Sequence, residues 1–114
     1  MAGPTPETET AAQQALEGLL RRLDGIAVTS AEPVEIDALL AAGCVVREVD
    51  TRLAGVLRVI RLDDLVLIAE RSTKGQPFVR RMLDLDDATR FVGERLSTYE
   101  RMWDGCGCRI DYLR

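Results

Sequence analysis

Three features of the sequence predict an α+β domain with two N-terminal helices, a four-stranded antiparallel meander and a long C-terminal helix packed on the sheet. Apolar residues recur at spacings of three and four towards both ends of the chain. β-Branched residues and arginines fill its middle. The pieces joining the middle segments are too short for the crossovers that parallel strands need.

Residues 1–10, rich in Pro, Thr and Glu, are expected to form a flexible N-terminal segment ahead of a single domain over 11–114 that ends in a cysteine-bearing tail. Inside that segment Thr5-Pro6-Glu7 already reads as a helix start, with Pro early and acid in the first turn. Ala12, Ala15, Leu16, Leu19, Leu20 and Leu23 then mark one face of an amphipathic helix that stops at Asp24-Gly25. After a linker, Ile26 to Ala31, Glu32-Pro33 opens a shorter helix with Val34, Leu39 and Leu40 as its apolar positions and Gly43 as its expected C′ residue. Strands are expected at Cys44 to Thr51, Val56 to Leu62, Leu65 to Ser72 and Phe78 to Asp84, with Asp63-Asp64 and Lys74-Gly75 as tight turns. In the last helix Asp84 stands three residues ahead of Asp87, a cap-like arrangement at the positive end of the helix dipole. Its apolar stripe runs through Ala88, Phe91, Val92, Leu96, Tyr99, Met102 and Trp103.

Leu65-Val66-Leu67-Ile68-Ala69 is apolar at both parities, whereas a strand with one wet face alternates, so both faces of it want cover. Arg58 and Arg61, three apart on the preceding strand, should point to opposite faces. The C-terminal helix can bury one side of such a sheet, and the first helix or a second copy of the chain must bury the other. A homodimer is the expectation drawn from this.

Apolar residues make up 46% and charged residues 30%, which is globular composition rather than the signature of disorder. A net charge of −4 gives no global attraction to phosphate backbones or anionic lipid, so nucleic acid is a disfavoured partner. The basic residues are fourteen arginines and one lysine, Lys74, a bias expected of a GC-rich bacterial genome. The N-terminus lacks the features of a secretory signal, and no apolar run approaches the roughly 20 residues that span a bilayer. A soluble, cytoplasmic protein is expected, and three cysteines, an odd count, fit a reducing compartment better than a disulfide framework.

The chain has no histidine, which removes the commonest general base, the Ser-His and Cys-His nucleophile pairs and every His-containing metal site. Arg71-Ser72-Thr73-Lys74-Gly75 has its glycine on the wrong side of the lysine for a phosphate-cradling loop. Asp84-Leu85-Asp86-Asp87 is explained by the helix start it occupies. The arginines Arg47, Arg58, Arg61, Arg71, Arg80 and Arg81 would offer a stripe for RNA or an acidic partner only if they shared a face, and five aromatics in the whole chain serve base stacking poorly.

What remains is Asp104-Gly105-Cys106-Gly107-Cys108-Arg109 after Trp103. Two thiolates one residue apart can bind zinc or copper(I), and the glycines let both sulfurs face the ion. Zinc takes four ligands, so Cys44 with Asp104 or Asp111 would have to complete the set, or two chains would pool their pairs. A Cys106–Cys108 disulfide would be strained and readily reduced, which suits thiol exchange. A helix C-terminus disfavours thiolate, and Arg109 only partly offsets that. The plainest alternative is a turn that returns the tail to the sheet. The sequence thus leads to a small non-catalytic accessory or interaction protein, a dimer, with Cys106, Cys108, Cys44 and Asp104 as metal candidates. Arg109, Trp103, Arg58 and Arg61 are its candidates for binding a protein partner.

Overall fold

The computed structural model describes the backbone of residues 6–104 and the side chains of residues 11–102. Along the chain run α1 (Pro6–Gly25), β1 (Val28–Ser30), α2 (Pro33–Ala42), β2 (Cys44–Asp50), β3 (Val56–Leu62), β4 (Leu65–Arg71), β5 (Pro77–Met82) and α3 (Leu85–Asp104). The α+β class, the meander and the C-terminal helix stand as expected. Among the described residues the sheet has five strands rather than four, in the order β1-β5-β4-β3-β2, and every neighbouring pair is antiparallel. The extra strand, β1, lies in the stretch read as a linker. Val28, Thr29 and Ser30 pair with Arg80, Val79 and Phe78, so the free edge of β5 draws a three-residue segment into the ladder. The first helix begins at Pro6, inside the segment set aside as a flexible terminus.

Two turns follow their residue chemistry. Asp63, with φ 53°, makes the link from β3 to β4, and Gly75, with φ 85°, the link from β4 to β5. In the second, the Ser72 hydroxyl accepts from the backbone N–H groups of Lys74 and Gln76. The start of α3 is capped as expected. The Asp87 N–H donates to Asp84 Oδ1 at 2.8 Å, and the Leu83 N–H donates to Asp87 Oδ2 at 3.0 Å.

Gly43 ends α2 for a different reason from the one its sequence position suggests. Its φ of −94° is open to any residue, so no left-handed cap is formed. A Cβ there would lie 2.5 Å from Ile60 Cγ2, and the glycine is what lets the helix end sit against β3.

The two-sided apolar character of β4 is used in full. On one face Ile60, Leu62, Leu67, Ala69 and Val79 pack with Leu19 and Leu23 of α1 and Leu39 of α2. On the other Leu57, Val59, Val66 and Ile68 pack with Ala88 and Val92 of α3. The helix pair α1/α2 therefore covers the face for which a second copy was the alternative, and coverage of β4 calls for no dimer.

One polar clamp ties the helix pair together. The Arg22 guanidinium donates to both carboxylate oxygens of Glu35, at 2.7 and 2.9 Å, and to the Ser30 carbonyl at 3.1 Å. Glu35 also accepts from the Glu32 N–H at 2.8 Å. This charge-assisted pair holds the Glu35 carboxyl below the usual glutamate range and raises Arg22 above its own.

Candidate functional site

The register fixes which way each sheet arginine points. Arg58 lies opposite Ala69, and Arg71 follows Ala69 by two positions, so both belong to the α1/α2 face. Arg81, opposite Leu67, joins them there and reaches Asp24 of α1 at 3.6 Å. Arg61 lies opposite Val66, Arg47 opposite Val59 and Arg80 opposite Ile68, all on the α3 face. The six divide three and three. Arg58 and Arg61, paired as binding candidates, are therefore not brought together, and a single-faced basic stripe does not form.

Several of these charges are already committed. Arg58 Nε donates to Glu48 Oε2 at 3.1 Å. On the α3 face the buried carboxylate of Glu70 takes Arg80 Nε at 2.6 Å and Arg95 Nε at 3.4 Å. The guanidinium groups of Arg80 and Arg95 lie 4.9 and 4.8 Å from the centre of the Phe91 ring. Arg95 also lies 6.0 Å from the Tyr99 ring. This arrangement pins α3 to the sheet through charge and stacking. With Glu35 clamped by Arg22 in the same way, the two carboxylates buried among the described residues act as structural acceptors.

Cys44 is a free, exposed cysteine at the start of the edge strand β2, on the α3 face opposite Arg61. Its row continues through Arg61, Val66 and Met82, and Arg61, Val66 and Leu85 line one cleft. Cys44 thus lies at the end of the sheet where α3 begins. From there α3 passes Arg80 at Phe91 and Glu70 at Arg95, running towards the opposite end. At about 1.5 Å per residue the course from Leu85 to Asp104 separates the two ends by about 28 Å. Cys106, Cys108 and Arg109 lie outside the described residues, as does the side chain of Trp103, whose backbone belongs to α3; Asp104 is the last residue of that helix. Of the proposed metal set, Cys44 therefore stands at one end of the sheet, and the last turn of α3 lies towards the other.

Comparison with known protein families, with curated proteins and with solved structures returns no match to the chain.

Among the described residues no group of three Cys, Asp or Glu side chains gathers to hold a metal ion. None of the described helices is long and apolar enough to cross a membrane. One arrangement was not singled out from the sequence. Arg71 lies diagonal to Arg58 beside α2, a relation that follows from a tight turn at Asp63-Asp64 once the register is counted outward from it. The Arg22–Glu35 clamp had no comparable signal, because its partners stand thirteen residues apart on separate elements.

Proposed function

We propose that the chain is a small non-catalytic interaction protein that works as a homodimer, with the Cys106-Gly107-Cys108 segments of two chains pooled into one thiolate site for zinc or copper(I). What supports the pooled form is the course of α3, which carries the chain from the Cys44 end of the sheet towards the opposite end. A second chain, or carboxylates such as Asp104 and Asp111, then completes the set. The structural use of Glu35 and Glu70 supports a non-catalytic role. A reducing compartment such as the cytoplasm suits free thiols. The outer edge of β2, with no strand beside it among the described residues, leaves room for a protein partner.

Elemental analysis of the anaerobically purified chain, a thiol titration and light scattering test the reading together. One metal ion per two chains, with a dimer that falls apart when the metal is chelated, is the expected result. Metal-free protein with a reversible Cys106–Cys108 disulfide would shift the assignment to thiol-disulfide exchange. A metal-free monomer with three freely titrating thiols would remove both readings.

A further inference from the structure

On the α1/α2 face, at the end of the sheet away from Cys44, β3 and β4 pass beneath the first turns of α2 and leave a half-open notch of about 100 Å³. Arg58, Arg71 and Asp37 supply its charged groups. Its apolar walls are Pro33, Ile36, Val56 and Pro77, over a floor at Ala69. Glu70 also borders it, but its carboxylate is engaged by Arg80 and Arg95 on the other face.

Both guanidinium groups are placed to receive something. Arg58 is held to Glu48 through Nε, which orients the side chain and leaves its two Nη groups for another acceptor. The Arg71 side chain makes no hydrogen bond or ion pair among the described residues, and its stem passes 4.0 Å from the position a Cβ would take on Gly55. Diagonal neighbours on adjacent strands stand about 7–8 Å apart, so one carboxylate can accept from both arginines. Asp37 stands on the helix side of the same notch and makes no ion pair among the described residues. Glu48 offsets Arg58 and Asp37 offsets Arg71, so these four groups carry no net charge. That balance rejects a bare anion and a bare cation alike, because either would leave one sign uncompensated. It suits a ligand that carries both signs on a small apolar body.

We propose that this notch binds a small α-amino acid. The ligand carboxylate accepts from Arg71 and the Nη groups of Arg58, the ammonium donates to Asp37, and a short side chain lies against Ile36, Val56 and Pro77. The volume limits the side chain to a few carbon atoms, since sites enclosing larger metabolites run to about 300–1,000 Å³. The proposal is independent of the tail cysteines.

Titration of the full chain with L-alanine, followed by amide chemical shifts, tests it. L-Alanine should move the amides of α2's first turns together with those of residues 55–58 and 69–71. Acetate and methylammonium, each carrying one of the two charges, should bind at least about tenfold more weakly. Arg71→Gln should weaken L-alanine by about tenfold. Asp37→Asn should abolish the preference of L-alanine over acetate. Both residues are exposed, so the fold tolerates either change. Equal binding of acetate and L-alanine by the unaltered chain would make the notch a simple anion site and overturn the proposal. So would shifts confined to residues elsewhere, or no shift at about 50 mM ligand, which corresponds to under 2 kcal/mol of binding.

Discussion

Replacing Glu35 by glutamine removes the charge at the centre of the α1/α2 clamp while keeping the shape of the side chain. Three donors converge on that carboxylate, two from Arg22 and one from the Glu32 backbone. A glutamine oxygen can still accept from one of them, but its amide then faces a guanidinium that offers only donors. Hydrogen bonds to charged groups contribute about 1.5–3 kcal/mol when shielded. The Arg22 side chain is 41% exposed, so solvent screens it, and the orphaned guanidinium can turn to water. The expected loss is about 1–2 kcal/mol, or about 5–10 °C in Tm for a domain of this size. Urea unfolding followed by circular dichroism gives the value near neutral pH. The acid limb supplies a second, stricter reading. Arg22 holds the Glu35 carboxyl below its ordinary range, so the clamp contributes fully above that range. As pH falls through the lowered value, the folded chain takes up the proton and the contribution is lost. The unfolding curves of the parent and Glu35→Gln chains should therefore differ near neutral pH and converge as the pH falls below the lowered value of the folded chain. A gap that stays constant down to acid pH, or that is absent at neutral pH, would refute the electrostatic account of this clamp.

Four further outcomes follow from the packing. Gly43→Ala sets a Cβ 2.5 Å from Ile60 Cγ2 and should cost about 1–3 kcal/mol by urea midpoint, with part of the loss recovered by adding Ile60→Val. Glu70→Gln leaves Arg80 and Arg95 without their counter-charge beside Phe91, and hydrogen exchange in α3 should accelerate ahead of exchange in the sheet. Leu67→Ala and Ile68→Ala, on opposite faces of β4, should each cost about 2–5 kcal/mol, whereas Val46→Ala on the edge strand should stay within about 0.5 kcal/mol; a surface-like value for Ile68→Ala would contradict the packing of α3. Asp84→Ala removes the acceptor for the Asp87 N–H and should lower the thermal midpoint by the equivalent of about 1 kcal/mol.

Those features that the sequence made legible are the ones whose cause is local. The two-faced apolar run of β4 follows from burial on both sides, and Val66, Leu67, Ile68 and Ala69 are all buried. The reciprocal cap at Asp84 and Asp87 follows from orphan N–H groups that any helix start must satisfy. The opposite facing of Arg58 and Arg61 follows from the pleat. β1 was not legible, because three residues carry too little pattern, and only the edge of β5 makes them a strand. Gly43 was assigned a backbone role when its actual one is steric and depends on Ile60, seventeen positions later. The irregularity between Val45 and Arg47, where β2 carries one more residue than β3, left no mark beyond two adjacent valines. As for the candidate site, the tail thiols are visible as a motif, but the placement of Cys44 at the sheet end where α3 begins depends on the direction of α3 across the sheet, which no local spacing encodes.

The edge at β2, unpaired among the described residues, has a consequence for crowding. Two copies pairing antiparallel about a two-fold axis normal to the sheet must set some residue against itself. With the axis at Glu48, two carboxylates meet; at Arg47, two guanidinium groups meet; at Val49, Glu48 meets Asp50 of the other copy. With the axis at Val46 the extra residue of the bulge falls on the seam and interrupts the ladder. Every central register therefore carries a repulsion or a break, and the chain resists templating its own growth into a continuous ribbon while remaining open to a strand of different charge order. At high concentration such a molecule should stay dispersed, and charge-neutral replacements at Arg47 and Glu48 should be the ones that bring it out of solution.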